Sequence, residues 1–144
     1  MRVHVATSGI RHSIPTQWLK RIATVAMRAS QCPGVAALDV ALVDDRTMAR
    51  LNWQFLRHRG PTDVITFPAG DRSEDDVLGE IVISVDRARE QARRHGHPVR
   101  REVALLLVHG ILHLHGYDDQ TSRQAARMHA RAETILERVF ERRR

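Results

Sequence analysis

The sequence predicts a single α+β domain spanning residues 1–144, in which one mixed β-sheet of about four strands is covered by helices. The length of 144 residues suits one compact core, and the sequence shows no internal repeat or linker. Short strand-like segments stand between segments with helical apolar spacing. Residues 103–108 are apolar without alternation, which is typical of a helix buried on nearly every side.

The first half of the chain is predicted to hold two strands and two helices. Strands are expected over residues 3–6 and 36–43, and a helix over residues 16–30 that ends before Pro33 and Gly34. Asp44 is placed to cap the second helix, because its carboxylate accepts a hydrogen bond from the first turn. The apolar face of that helix carries Met48, Leu51 and Phe55.

The second half is predicted to add two strands and three helices. Strands over residues 64–67 and 79–85 flank a polar loop over 69–77, whose acidic side chains lack the spacing of a calcium-binding loop. A helix over residues 86–95 follows, and Pro98 opens the apolar helix. The last helix begins with a capping-box spacing and has an apolar inner face: Thr121 and Gln124 for the box, then Met128, Ala132, Ile135, Val139 and Phe140.

Charge favours a polyanionic partner such as RNA, since the formal net charge is +6. Arginines near the predicted site in sequence are better placed for phosphate contacts than the tail at residues 142–144. They are Arg57, Arg59, Arg93, Arg94, Arg100 and Arg101.

Cysteine content and hydropathy bear on the compartment. Cys32 is the only cysteine, so no internal disulfide can form and a cytoplasmic location is expected. No apolar run approaches the roughly 20 residues of a membrane span, and the first residues lack the features of a signal peptide. We therefore expect no membrane partner.

Two histidines within the apolar helix predict a metal site. His109 and His113 are four residues apart, so both imidazoles lie on one helical face and can converge on one ion. Gly116 is a helix-stop signal, and the turn after it could bring Asp119 beside the two rings as a third ligand, with Asp118 as a rival. Three protein ligands and one open position are typical of catalytic zinc.

Gly110 separates this motif from the helix of zinc proteases, which carries a glutamate as general base directly after the first histidine. A zinc metalloprotease-like hydrolase is therefore disfavoured. Glycine inside a helix costs roughly 1 kcal/mol relative to alanine. Its presence points either to a closely packed neighbour or to a substrate, and the sequence leaves both open.

The run HGILHLHGYDD resembles the metal motif HGxLHLxGYDH of the YbeY family of bacterial single-strand-specific endoribonucleases. His109 and His113 match the first two histidines, whereas the third position holds Asp119. Upstream, residues 61–68 resemble the block PTDVLSFP and residues 79–83 resemble GDIVI. The resemblance is carried further by Leu51, Asn52, Phe55 and Glu102; Leu56 stands where the family has an arginine.

The resemblance implies a zinc-dependent endoribonuclease that holds one Zn²⁺ ion and cleaves single-stranded RNA. Ribosomal RNA maturation at the small-subunit 3′ end and ribosome quality control are the implied roles, with the ribosome or ribosomal proteins as partners and no DNA. His58 is the candidate general acid or base, because an imidazole titrates near pH 6.5, and Arg57 is a candidate for stabilising phosphate charge. An exposed loop histidine is an equal alternative for His58. The rival function is a non-catalytic, ribosome-associated RNA-binding protein with structural zinc.

Overall fold

The computed structural model describes residues 2–30, 37–69 and 77–141. Predictions made for Cys32, Pro33 and Gly34, for the acidic part of the loop at residues 70–76 and for the tail at residues 142–144 lie outside those ranges. Along the chain the elements are β1 (Arg2–Ser8), α1 (Thr16–Ala29), β2 (Ala37–Val43), α2 (Asp45–Leu56), β3 (Val64–Pro68), β4 (Val77–Ser84), α3 (Val85–His95), α4 (Val99–Leu114) and α5 (Ser122–Glu141).

The four strands form one mixed sheet in the order β1-β2-β4-β3. Strands β1, β2 and β4 are parallel, and β3 runs antiparallel to β4 at one edge. The central pairing places Val40 beside Ile81. The predicted α+β class with a four-stranded mixed sheet is confirmed.

Helices pack on both faces of this sheet. The larger core joins the sheet to α1, α4 and α5, and it includes nearly the whole length of α4. A smaller core on the other face is formed with α2. The helix predicted to be buried is therefore confirmed, because residues 103–108 and 110–112 are all buried. None of the described helices is both long and apolar enough to cross a lipid bilayer.

The boundary between β4 and α3 differs from the prediction, which extended the strand to residue 85. The strand ends at Ser84, whose hydroxyl accepts a hydrogen bond from the Arg87 N–H at 3.2 Å. The same hydroxyl donates to Asp45 at 2.8 Å. Ser84 therefore caps α3, and Val85 is the first residue of the helix.

Both side-chain caps proposed from the sequence are present. The Asp44 carboxylate accepts a hydrogen bond from the Thr47 N–H at 2.9 Å. The Thr121 hydroxyl accepts from the Gln124 N–H, and the Gln124 side chain accepts from the Thr121 N–H, each at 3.1 Å. These contacts satisfy backbone donors that the first turns of α2 and α5 leave without helical partners.

The Asp44 cap predicts a pH-dependent contribution to stability. The hydrogen bond from Thr47 lowers the pKa of Asp44 below its usual 3.8, so the folded state favours the charged carboxylate. That contribution is present above the unfolded-state pKa and is lost as pH falls through the lower folded-state pKa. Asp44→Asn keeps an acceptor but does not titrate.

We expect the difference in unfolding free energy between wild type and Asp44→Asn to be constant near neutral pH. As pH falls below 3.8, the wild type should lose stability relative to Asp44→Asn. Urea unfolding of both proteins over a pH series measures it. A difference that stays constant into the acid range would contradict this role of Asp44.

Candidate metal centre

His109 presents an imidazole nitrogen without a hydrogen-bonding partner. Its Nε2 atom is buried, and within the described ranges it makes no hydrogen bond. Burial is the main cause that lowers the pKa of His109 below 6.5, and the nearby His129 ring lowers it further, whereas Asp63 opposes them. The ring is thereby kept neutral, which is the form that binds a metal.

His113 lies close to the carboxylate predicted to accompany it. Helix α4 ends at Leu114, and Gly116 follows with φ +97°, a conformation that glycine adopts without strain. The reversed chain brings Asp119 Oδ2 to 3.4 Å from His113 Nε2. Both side chains are partly open to solvent.

The neighbouring Asp118 is engaged with the backbone. Its Oδ1 accepts hydrogen bonds from the N–H groups of Asp119, at 2.7 Å, and Gln120, at 3.3 Å. These bonds hold the Asp118 side chain over the turn. Asp119 is thus the residue of the pair that the structure places beside a helix histidine.

A cleft of about 290 Å³ opens beside His109. Its walls combine titratable and apolar side chains from α3, α4 and α5 with Asp63, which directly precedes β3. Its described lining residues are Asp63, Gln91, Arg94, His95, Glu102, Leu105, Leu106, His109 and His129.

Arg57 and His58 are not among those lining residues, and neither are His113 and Asp119. Arg57 and His58 are both exposed after the end of α2, where Arg57 has φ 55° and its guanidinium lies 5.4 Å from the centre of the Trp53 ring. The His58 N–H donates to the Asn52 carbonyl at 3.2 Å. Neither of the two predicted catalytic residues therefore lines the cleft beside His109.

Other arginines named in the sequence also differ in placement. Arg94 lines the cleft and is largely exposed, with Glu90 3.6 Å away. Arg101 instead pairs with Glu133 at 3.1 Å and stands over the Phe140 ring. Arg94 is the better placed of the two for a phosphate.

Sequence reasoning missed several histidine contacts. The His129 ring lies 5.8 Å from that of His109, and only tertiary packing of α5 on α4 brings the two together. Within the described ranges, one set of three metal-ligating atoms lies within 4.8 Å of one another, and it comprises His95, His97 and Glu102. The predicted ligands His109, His113 and Asp119 do not form such a set. Two histidines flanking Gly96, followed shortly by a glutamate, are the signal that would have found this set.

Gly110 packs directly against the sheet. A Cβ atom added there would lie 2.8 Å from Cγ2 of Ile81, which is fully buried. Of the two reasons left open by the sequence, the packed neighbour is the one observed. A glutamate at this position would point into β4, so the base of the zinc-protease mechanism has no room here.

Comparison with known proteins gives consistent matches. The family model described as Endoribonuclease YbeY matches residues 5–140. A protein named Endoribonuclease YbeY from Oceanobacillus iheyensis is 35% identical over 93% of this chain and 96% of its own length. One with the same name from Carboxydothermus hydrogenoformans is 43% identical over 69% of each chain. The solution structure of a Thermotoga maritima protein is similar with a TM-score of 0.67 and 27% identity, covering 97% of this chain and 90% of that one.

Proposed function

Because this chain belongs to the Endoribonuclease YbeY family, we propose that it is a zinc-dependent endoribonuclease for single-stranded RNA. Its proposed substrate is ribosomal RNA in the cytoplasm, at the 3′ end of the small-subunit RNA. Ribosomal proteins or the ribosome itself would be its partners, and ribosome quality control its wider role. The net charge of +6 supports binding to such a polyanion.

The observation that carries the metal assignment is the buried, unpartnered Nε2 of His109 on the helix that also bears His113. An unsatisfied buried nitrogen costs free energy that a bound cation would offset. His113 and the Asp119 carboxylate supply the other two donors, and two imidazoles with one carboxylate are an ordinary zinc ligand set. A zinc ion held there would polarise a phosphoryl oxygen or acidify a water molecule.

Protein groups around the cleft have their own roles in this proposal. Arg94 would bind a phosphate of the RNA, because its guanidinium is largely exposed at the cleft. Leu105 and Leu106 form the apolar part of the cleft wall. Arg57 and His58 stay predictions, and a role for them would require RNA that extends beyond the cleft.

Cleavage of a fluorescently labelled, unstructured RNA tests the proposed function. Zinc-loaded wild type is expected to cleave it, and His113→Ala to lose at least about 100-fold in rate, because a metal ligand is removed. His4→Gln is the matched control, since His4 is an exposed histidine on β1.

Equal cleavage by purified wild type and His113→Ala would contradict the enzyme assignment. Salt-sensitive RNA binding without turnover in either protein would instead support the non-catalytic RNA-binding alternative.

A further inference from the structure

A buried carboxylate with two histidine partners lies at the junction of α3 and α4. Glu102 is only 1% exposed, and its Oε2 atom lies 3.3 Å from His95 Nδ1 and in contact with His97 Nε2. Gly96 has φ +68°, and this turn places the two imidazoles on the same carboxylate. The start of α4 is thus tied to the end of α3 by three metal-ligating groups.

The spacing of these groups fits a transition metal. In a tetrahedral site with metal–ligand bonds of about 2.0–2.1 Å, neighbouring ligand atoms are about 3.4 Å apart. The distance of 3.3 Å between His95 Nδ1 and Glu102 Oε2 already has this spacing, and all three ligand atoms lie within 4.8 Å of one another. A bound ion would replace the direct contact between His97 and Glu102. Two imidazole nitrogens favour zinc, cobalt or nickel over calcium and magnesium, which prefer oxygen ligands.

We propose that His95, His97 and Glu102 form a second divalent transition-metal site, separate from the one at His109 and His113. The inference rests on the proposed function only in the expected total of two bound ions, one of which is the ion proposed at His109 and His113. Glu102 and His109 both line the cleft, but they are seven residues apart on α4. Seven residues correspond to a rise of about 10 Å, well beyond the 3.5–4 Å between ions of a two-metal catalytic centre.

Such an ion would act on the fold and on the cleft wall. It would clamp the α3–α4 turn, because its ligands come from both sides of that turn. The fourth coordination position would face the cleft, since His95 is 56% exposed and lines it. A water molecule or a phosphate oxygen of the RNA would fill that position.

The zinc stoichiometry of this 144-residue chain tests the inference. The chelator-treated chain is dialysed against low-micromolar zinc, and bound metal is measured by elemental analysis. Two equivalents are expected for wild type and for the control His4→Gln, and one each for His113→Ala and for the double variant His95→Gln/His97→Gln. Zinc should also raise the melting temperature less in the double variant than in His113→Ala.

The single variant His95→Gln guards against misfolding of the double variant, because the His95 side chain is mostly exposed. This variant should bind the second zinc ion with an affinity at least about tenfold lower than that of wild type. If wild type binds one zinc ion and only the His95 and His97 variants lose it, the result would support this site and contradict the ligands of the proposed function. Undiminished zinc binding by the double variant, or a single equivalent lost only in His113→Ala, would overturn the inference.

Discussion

Asp119→Asn is expected to weaken zinc binding at the proposed site of His109, His113 and Asp119 at least about 100-fold and to abolish RNA cleavage. The reason is that Asp119 Oδ2 lies 3.4 Å from His113 Nε2 and would provide the only negative charge among the three proposed ligands. Asp118→Asn is the matched control, because it changes the adjacent carboxylate in the same way. Its oxygen accepts two backbone hydrogen bonds, a role that an amide oxygen keeps.

Zinc titration with a competing chromophoric chelator measures this difference, and cleavage of the labelled RNA provides the functional readout. To separate the two proposed metal sites, both substitutions are placed in the His95→Gln/His97→Gln background. A large loss in Asp118→Asn with near-normal binding by Asp119→Asn would transfer the third-ligand role to Asp118. Normal binding by both variants would remove the carboxylate from the proposed ligand set.

Gly110→Ala is expected to destabilise the protein by about 1–2 kcal/mol, although alanine is the better helix former by about 1 kcal/mol. The new Cβ would stand 2.8 Å from Cγ2 and 3.0 Å from Cδ1 of Ile81. Ile81 is fully buried in the central strand β4, so it has little freedom to move aside. Overpacking therefore outweighs the gain in helix propensity.

A double-mutant cycle separates these two effects. Ile81→Ala removes the atoms that meet the new Cβ, at a cost of about 2–5 kcal/mol for the cavity it leaves. In that background Gly110→Ala should stabilise by up to about 1 kcal/mol, which reverses its sign. Denaturant unfolding of the four proteins gives the coupling energy. The same destabilisation in both backgrounds would show that Ile81 is not the reason for glycine at this position.

Local signals in the sequence predicted much of the fold. The unbroken apolar run before His109 predicted a buried helix, because only a helix covered on nearly every side tolerates it. Asp44 and Thr121 predicted helix starts through hydrogen bonds to residues three positions away. Gly116 predicted the turn beyond α4, because glycine adopts a positive φ without strain and this preference depends on the residue itself. Such features need no knowledge of the tertiary structure.

What the sequence did not predict depends on packing between distant segments. The cleft joins Asp63, Gln91 and His129 to His109, and no local pattern encodes their proximity. The end of β4 was misplaced because Val85 continues the apolar alternation, while the contact between Ser84 and Asp45 spans 39 positions. Arg57 and His58 adjoin the matched blocks in sequence, yet the cleft is lined by other residues.

A crystal structure of the zinc-soaked protein, with anomalous scattering measured at the zinc edge, tests the central claim most directly. The account predicts a strong anomalous peak bonded to Nε2 of His109, Nε2 of His113 and the carboxylate of Asp119, with a solvent molecule in the remaining position. The account would be contradicted if zinc were found only at other positions, or if the imidazoles of His109 and His113 did not bind the same ion.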